Sequence, residues 1–341
     1  MADKNIWDLL PPEHLADVVA KDMSLELERE KYSLLPYFPN YQTNNISVSF
    51  DQVVNSRVTM AQNRAYDAEP TRGTVEGYSR ASFELPAVGQ KLTISEYARA
   101  KSNNASEEEL QALGLNYAVR VARSIAELLE YQRGKVLTTG QFSQNNTIPV
   151  PEQFDDFKRP ASMDVVAAKK WSDPSTKVLD ELMNYVKLYE DTNGFTPETM
   201  IVSRKLQRAI FNAPEFRTVL NGGATRPGTE ADVNALLTSY GIPALKVYER
   251  KVNTGDADNV RVLDENSIYL LPGENAPVGH TFWAPTVAAK EFGWPASAEG
   301  PQIFTGIFRA GNVAPIAEVV ADAYAAPVLV NPSRAFVAKV L

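Results

Sequence analysis

Ser106–Gly140 reads SEEELQALGLNYAVRVARSIAELLEYQRGKVLTTG. Ser106 followed by Glu109 has the spacing of a capping box, in which the hydroxyl accepts from the third helical amide and the carboxylate reaches back. Apolar residues recur at Leu110, Leu113, Tyr117, Val121, Ile125 and Leu128, one stripe at helical period. Gly134, followed by Lys135, is the expected C-terminal cap, with the cation at the negative end of the helix dipole. Residues 107–133 would then span about 40 Å. Gly114 costs about 1 kcal/mol against Ala inside a helix, so the firm part is expected from Leu115 to about Arg133. The stretch is a strut, and its apolar stripe is core.

The 341 residues are enough for two or more packed regions. An apolar share of 44% and a charged share of 22% are those of an ordinary globular protein. Net charge is −8 with no basic block, which argues against a grip on nucleic acid through phosphates. The absence of cysteine removes disulfide and thiol chemistry and suits a reducing cytoplasm. MADKNIWDLLPPEH lacks the apolar core of a signal peptide. The apolar stretch Val313–Val330 is broken by Pro315, Glu318, Asp322 and Pro327, so no membrane span is expected.

Outward from the strut, the elements differ in kind. Residues 13–31 read as an amphipathic helix, and Pro36 and Pro39 then impose an extended, aromatic-rich segment. Ile46–Phe50 alternates at period two, as a strand does. Residues 57–94 are polar between two strand-like pieces, Val58–Met60 and Ser82–Leu85. They set Arg57, Arg64, Arg72 and Arg80 against Asp67, Glu69, Glu76 and Glu84. A long hairpin with so little to bury is not stable alone. Either it is a floppy loop or a neighbouring molecule supplies its partners.

On the other side, Thr147–Val150 and Met163–Ala168 suggest strands, with Pro149, Pro151 and Pro160 favouring edges. Ser175 or Asp173 is expected to cap a helix carrying Val178, Leu179, Leu182, Val186 and Tyr189, which Asn193-Gly194 stops. Met200–Val202 reads as a buried strand and Ser203 as the next helix cap. Residues 221–230 form a loop, 231–239 a helix, and 244–249, 260–263 and 267–271 strands. The Val- and Ala-rich tail, Ala314–Leu341, reads as one or two long strands. The fold class is α+β.

Chemistry is hard to find. His14 and His280 stand far apart, and without cysteine a Cys/His zinc site is impossible. His280, in GHTF, is read as structural. No phosphate loop, G-x-G-x-x-G or nucleophile elbow is complete. Asp256-Ala-Asp258-Asn259 begins like a calcium loop, but Ser267 stands where the closing Glu belongs. No enzyme, metal or cofactor is expected, although a carboxylate-only enzyme is the residual alternative.

Taken in succession, several stretches resemble the lambda-type major capsid proteins of tailed phages, the major capsid protein E family. They are Leu34–Pro39 before a strand, the charged segment 57–94, the strut ending GKVLTTG, Trp171–Pro174, Gly194–Pro197, Met200–Ser203, Ile242–Tyr248, Ile268–Pro272 and Ala326–Pro332. The resemblance implies an N-terminal arm (1–45), an extended hairpin loop with flanking strands (46–100), a peripheral domain on a spine helix (101–171), an axial domain (172–312) and a return strand (313–341). It implies a structural protein of an icosahedral virion, assembled in the host cytoplasm as hexamers and pentamers around packaged DNA, with a portal at one vertex and with decoration and scaffolding proteins as further partners. The loop's four arginines and four carboxylates would then lie across the adjacent subunit. Some relatives weld subunits through a loop lysine. No lysine occurs here between Lys31 and Lys91, so non-covalent locking is expected. The alternatives are a gene-transfer particle and an encapsulin-type compartment shell. The long region ahead of the loop fits lambda-type heads better.

Overall fold

The computed structural model describes residues 5–12, 15, 19, 32–53, 60–61, 63–69, 78–97, 106–143, 154–216, 229–255, 258–294, 300–311 and 316–341. The expected strand at 147–150 lies outside them, as does the expected loop at 221–230 save for its last two residues, Thr229 and Glu230, which cap and begin a helix instead. Most of the 13–31 helix also lies outside them; its Leu15 and Val19 are described and buried.

A single turn, α1 (Ile6–Leu9), precedes the strut, α2 (Glu107–Thr139), of 33 residues. Its start is as expected. Ser106 Oγ accepts from the Glu109 amide at 3.2 Å, and Glu109 Oε2 accepts from the Ser106 amide at 3.0 Å. Its end is not. The helix runs through Gly134 and stops at Gly140, which takes the left-handed conformation at φ 70° and donates its amide to Val136 O. Gly134 is there for close approach, since a Cβ would lie 2.3 Å from the Val262 carbonyl oxygen. Gly114 is likewise inside the helix, under Leu10 and Ile307. The cation expected at the C-terminus arrives from elsewhere: Arg159 donates to the carbonyls of Leu137 and Thr138 at 2.7 and 2.9 Å.

The buried face of α2 is also displaced from the expected stripe. Ala118, Val121, Ala122, Ile125 and Leu129 are buried, whereas Leu128 is 39% exposed. The first sheet explains the shift. It comprises β1 (Asn40–Gln42), β4 (Ala87–Ile94), β13 (His280–Ala284), β14 (Phe304–Ala310) and β15 (Ile316–Val328). Strand β15 pairs with β14 along 316–322, β4 along 317–324 and β13 along 324–328. Its inward residues are Ala317, Val319, Ala321, Ala323 and Ala325, all fully buried with the α2 face in one cluster. Small side chains on both surfaces let the helix lie close, and larger residues such as Leu115 and Tyr117 are left to flank the contact.

A second sheet has the order β7 (Asp164–Val166), β16 (Phe336–Lys339), β12 (Ser267–Leu271), β8 (Thr199–Val202), β9 (Leu245–Val247). As the prolines suggested, β7 is an edge. Every residue of β12 is buried. Helices α3 (Val178–Asn193), α4 (Arg204–Asn212) and α5 (Glu230–Ser239) share its apolar cluster. Ser203 caps α4 by accepting from Leu206 N, and Gly194, at φ 81°, closes α3. Neither Asp173 nor Ser175 caps α3. Asp173 accepts from the Ser175 amide in its own turn, and Glu215, from beyond α4, accepts from the Leu179 amide at 2.8 Å. A distant carboxylate does the work expected of a local one. The tail thus divides, β15 to one sheet and β16 to the other. A third cluster, built on Leu34, Phe38, Val136 and Leu137, fills the space where the end of α2 passes between them. Pro36 is the middle residue of a short 3-10 turn, Leu35–Tyr37, before β1 rather than part of a fully extended run. Two small ribbons, β5 (Gln141–Ser143) with β6 (Phe154–Asp156) and β10 (Lys251–Val252) with β11 (Val260–Arg261), and a short α6 (Val287–Glu291), complete the description.

Candidate assembly surfaces

The charged segment starts from a two-stranded ribbon. Strand β2 (Ser47–Val53) pairs antiparallel with β3 (Tyr78–Glu84), from Ser47 opposite Glu84 to Val53 opposite Tyr78. Alternation puts Phe83 inward and Arg80 and Glu84 outward. Phe83 is 3% exposed and packs edge-on to Phe142 at 5.2 Å, and the Gln52 amide donates to the Phe157 carbonyl. The base is therefore fixed to the body. Past it, every described residue from Met60 to Glu69 is exposed. Arg64 donates to the Ala68 carbonyl at 2.7 Å, and Asp67 takes a left-handed conformation at φ 65°, making a turn that also carries Glu69. Met60 is 88% and Tyr66 99% exposed.

Of the eight singled-out charges, the structure brings Arg64, Asp67 and Glu69 together in that turn and places Arg80 and Glu84 on one face of β3. Arg57, Arg72 and Glu76 lie outside the described residues, as do Val58 and Thr59, and Met60 is not in a strand. The segment 57–94 is also not one hairpin. Residues 87–94 form β4 in the first sheet, where the polar–apolar alternation of AVGQKLTI meets β15.

A second feature lies under α2 and was not legible beforehand. Glu130 and Arg133 are buried, at 1% and 4% exposure, and paired at 3.0 Å. Glu130 also accepts from the Leu34 amide at 2.6 Å and the Tyr248 hydroxyl at 2.9 Å. Arg133 donates through Nε to Thr281 Oγ1 at 2.9 Å, and that hydroxyl donates on to Phe38 O. Burial first, then the Glu130 charge, push the Tyr248 phenol up from its ordinary pKa, so it remains a donor. Beside this node Arg250 pairs with Glu127 at 3.1 Å and donates to Tyr32 O. The network ties residues 32–38, the long helix, β13 and the segment after β9 into one body. The Glu-x-x-Arg spacing was visible in the sequence, but nothing local marks it as buried. His280 sits among Tyr41 and Phe282, and its imidazole pKa is lowered by burial.

The family description of phage major capsid protein E matches residues 34–305, most of the chain. The chain belongs to the phage major capsid protein E family. No curated protein matches it. Among solved structures, a protein assigned as the capsid protein of a prophage of E. coli CFT073 is similar at TM-score 0.64 and 16% identity, covering 94% of this chain and 99% of that one. A phage-related protein of Bordetella bronchiseptica RB50 is similar at TM-score 0.58 and 14% identity, with 95% of each chain covered. At such identities these likenesses establish the fold, which is that of tailed-phage capsid proteins. As a member of the family, this capsid protein is a structural shell protein of a phage head, its place is the virion capsid, and its copies assemble with one another.

Proposed function

We propose that copies of this capsid protein build an icosahedral shell of hexamers and pentamers around packaged DNA in the host cytoplasm, and that the ribbon β2–β3 with its turn reaches across the adjacent subunit. The observation that carries this is the contrast between the two halves of the segment. The base is anchored by Phe83, whereas the turn holds Arg64, Asp67 and Glu69 beside Met60 and Tyr66, large apolar side chains wholly in solvent. The apolar surface of those two residues lowers the free energy only when another molecule covers it. Opposite charges within the turn would pair with those of a neighbour. A net charge of −8 keeps such a wall from adhering to the genome it encloses.

Replacing Arg64, Arg72 and Arg80 with alanine is expected to reduce the yield of intact particles severely while the melting temperature of the unassembled protein stays within a few degrees of wild type. An unchanged yield of shells would count against the trans contact. Particles filled with protein cargo rather than nucleic acid would redirect the reading to a compartment shell.

A further inference from the structure

A cleft of about 740 Å³ opens at the start of α4, between that helix, the segment 171–178 and Pro214. Four cationic side chains line it, Arg204, Lys205, Arg208 and Arg261, against one carboxylate side chain, Asp173. In a chain of net charge −8 this is a local reversal of sign. Two of the four cations are already engaged. Lys205 pairs with Glu265 at 3.0 Å, and Arg261 with Glu249 and Glu265 at 3.0 and 3.2 Å. Among the described residues, Arg204 and Arg208 pair with no carboxylate, and both are exposed.

Their placement works against the helix that carries them. They stand one turn apart, where like charges repel. Arg204 also occupies the first position of α4, at the positive end of its dipole, where the compensating carboxylate comes from outside the helix: Glu249 accepts from the Arg204 amide at 2.6 Å. Helices α2, α3 and α5 begin instead with Glu107–Glu109, with Asp180 and Glu181, and with Glu230 and Asp232. The remaining wall is mixed: Trp171, Pro174 and Pro214 give it apolar surface, and Ser172, Thr176 and Asn212 give it polar groups.

We propose that this cleft binds an acidic peptide segment of a separate partner protein, with its carboxylates on Arg204 and Arg208 and its apolar side chains against the two prolines. The volume is that of a site for a short segment. A DNA duplex offers phosphates to the two arginines but no apolar side chains for the prolines. In a second copy, Glu109 and Asp232 are already engaged at their own helix starts, where they close capping boxes. The inference is independent of how the shell is built.

Fluorescence anisotropy with a labelled peptide alternating glutamate and leucine tests it on the full-length protein. Wild type is expected to bind, more weakly as salt rises, and the glutamine analogue of the peptide is not. The double variant Arg204→Gln, Arg208→Gln is expected to bind about tenfold more weakly or worse, with an unchanged melting curve, while Lys187→Gln binds as wild type. Failure of wild type to bind, equal binding by the double variant, or displacement of the peptide by a short DNA duplex would overturn the proposal. So would a change in self-assembly of the pure double variant, which would make the cleft a contact between copies. Shell formation by wild type is scored separately, so the two readings fail independently.

Discussion

Glu130 and Arg133 show what a single residue does in this fold. Each is buried, and each is satisfied only because residues from distant parts of the chain converge on it, Leu34, Tyr248 and Thr281 among them. Removing one member of a buried pair leaves the other charge out of water and unpaired, which costs about 3–5 kcal/mol. Glu130→Gln is therefore expected to destabilise the protein by an amount of that order in urea unfolding, and Glu130→Leu, Arg133→Met to recover only part of it, because the Leu34 amide and Tyr248 hydroxyl lose their acceptor. An isolated Glu130→Gln as stable as wild type would show that the node is not a lock. Local rules found the caps at Ser106 and Ser203, because a cap is a bargain among four consecutive residues. They missed Glu130, and they missed Glu215 at the head of α3, because those partners are set by tertiary approach.

The same division holds for whole elements. The long helix was legible from its capping box and apolar period, yet both its glycines were misread as ends. Propensity says that Gly costs helix stability and therefore marks a boundary. The structure gives that cost a purpose, since the Val262 backbone occupies the space of any Cβ at position 134. Gly134→Ala should thus destabilise by about 1–3 kcal/mol, although alanine is the better helix former by about 1 kcal/mol. Unfolding curves of the two proteins decide the sign, and a more stable variant would refute the close-approach explanation. The buried stripe was misplaced for a related reason. A periodicity count favours Leu over Ala, whereas a helix lying on the alanine face of β15 buries Ala118 and Ala122 and lifts Leu128 toward solvent. Strand β4 was hidden inside a charged segment because polar Gln90 stands at one of the inward positions of its alternation, beside Val88, Leu92 and Ile94, and pairing with β15 reveals it.

At the scale of the whole molecule, three apolar clusters hold the described body together, and the turn at 64–69 adds nothing to them, its large side chains uncovered. The family and fold were legible in the succession of short stretches, none of which would have sufficed alone. The proposed assembly contact had only an imbalance to announce it in the sequence, a segment too polar to fold by itself. The first lysine after Lys31, Lys91, lies on β4 and pairs with Glu318 at 3.0 Å, within the sheet rather than at the turn. Purified particles should therefore run as a single monomer band in denaturing electrophoresis, and a covalent ladder of subunits would refute non-covalent locking. The central claim, that this chain is a tile made to meet copies of itself, is tested most directly by electron microscopy of the purified protein. The account predicts closed shells of uniform size, or rings of five and six copies on the way to them. A field of compact monomers that never associate would contradict it.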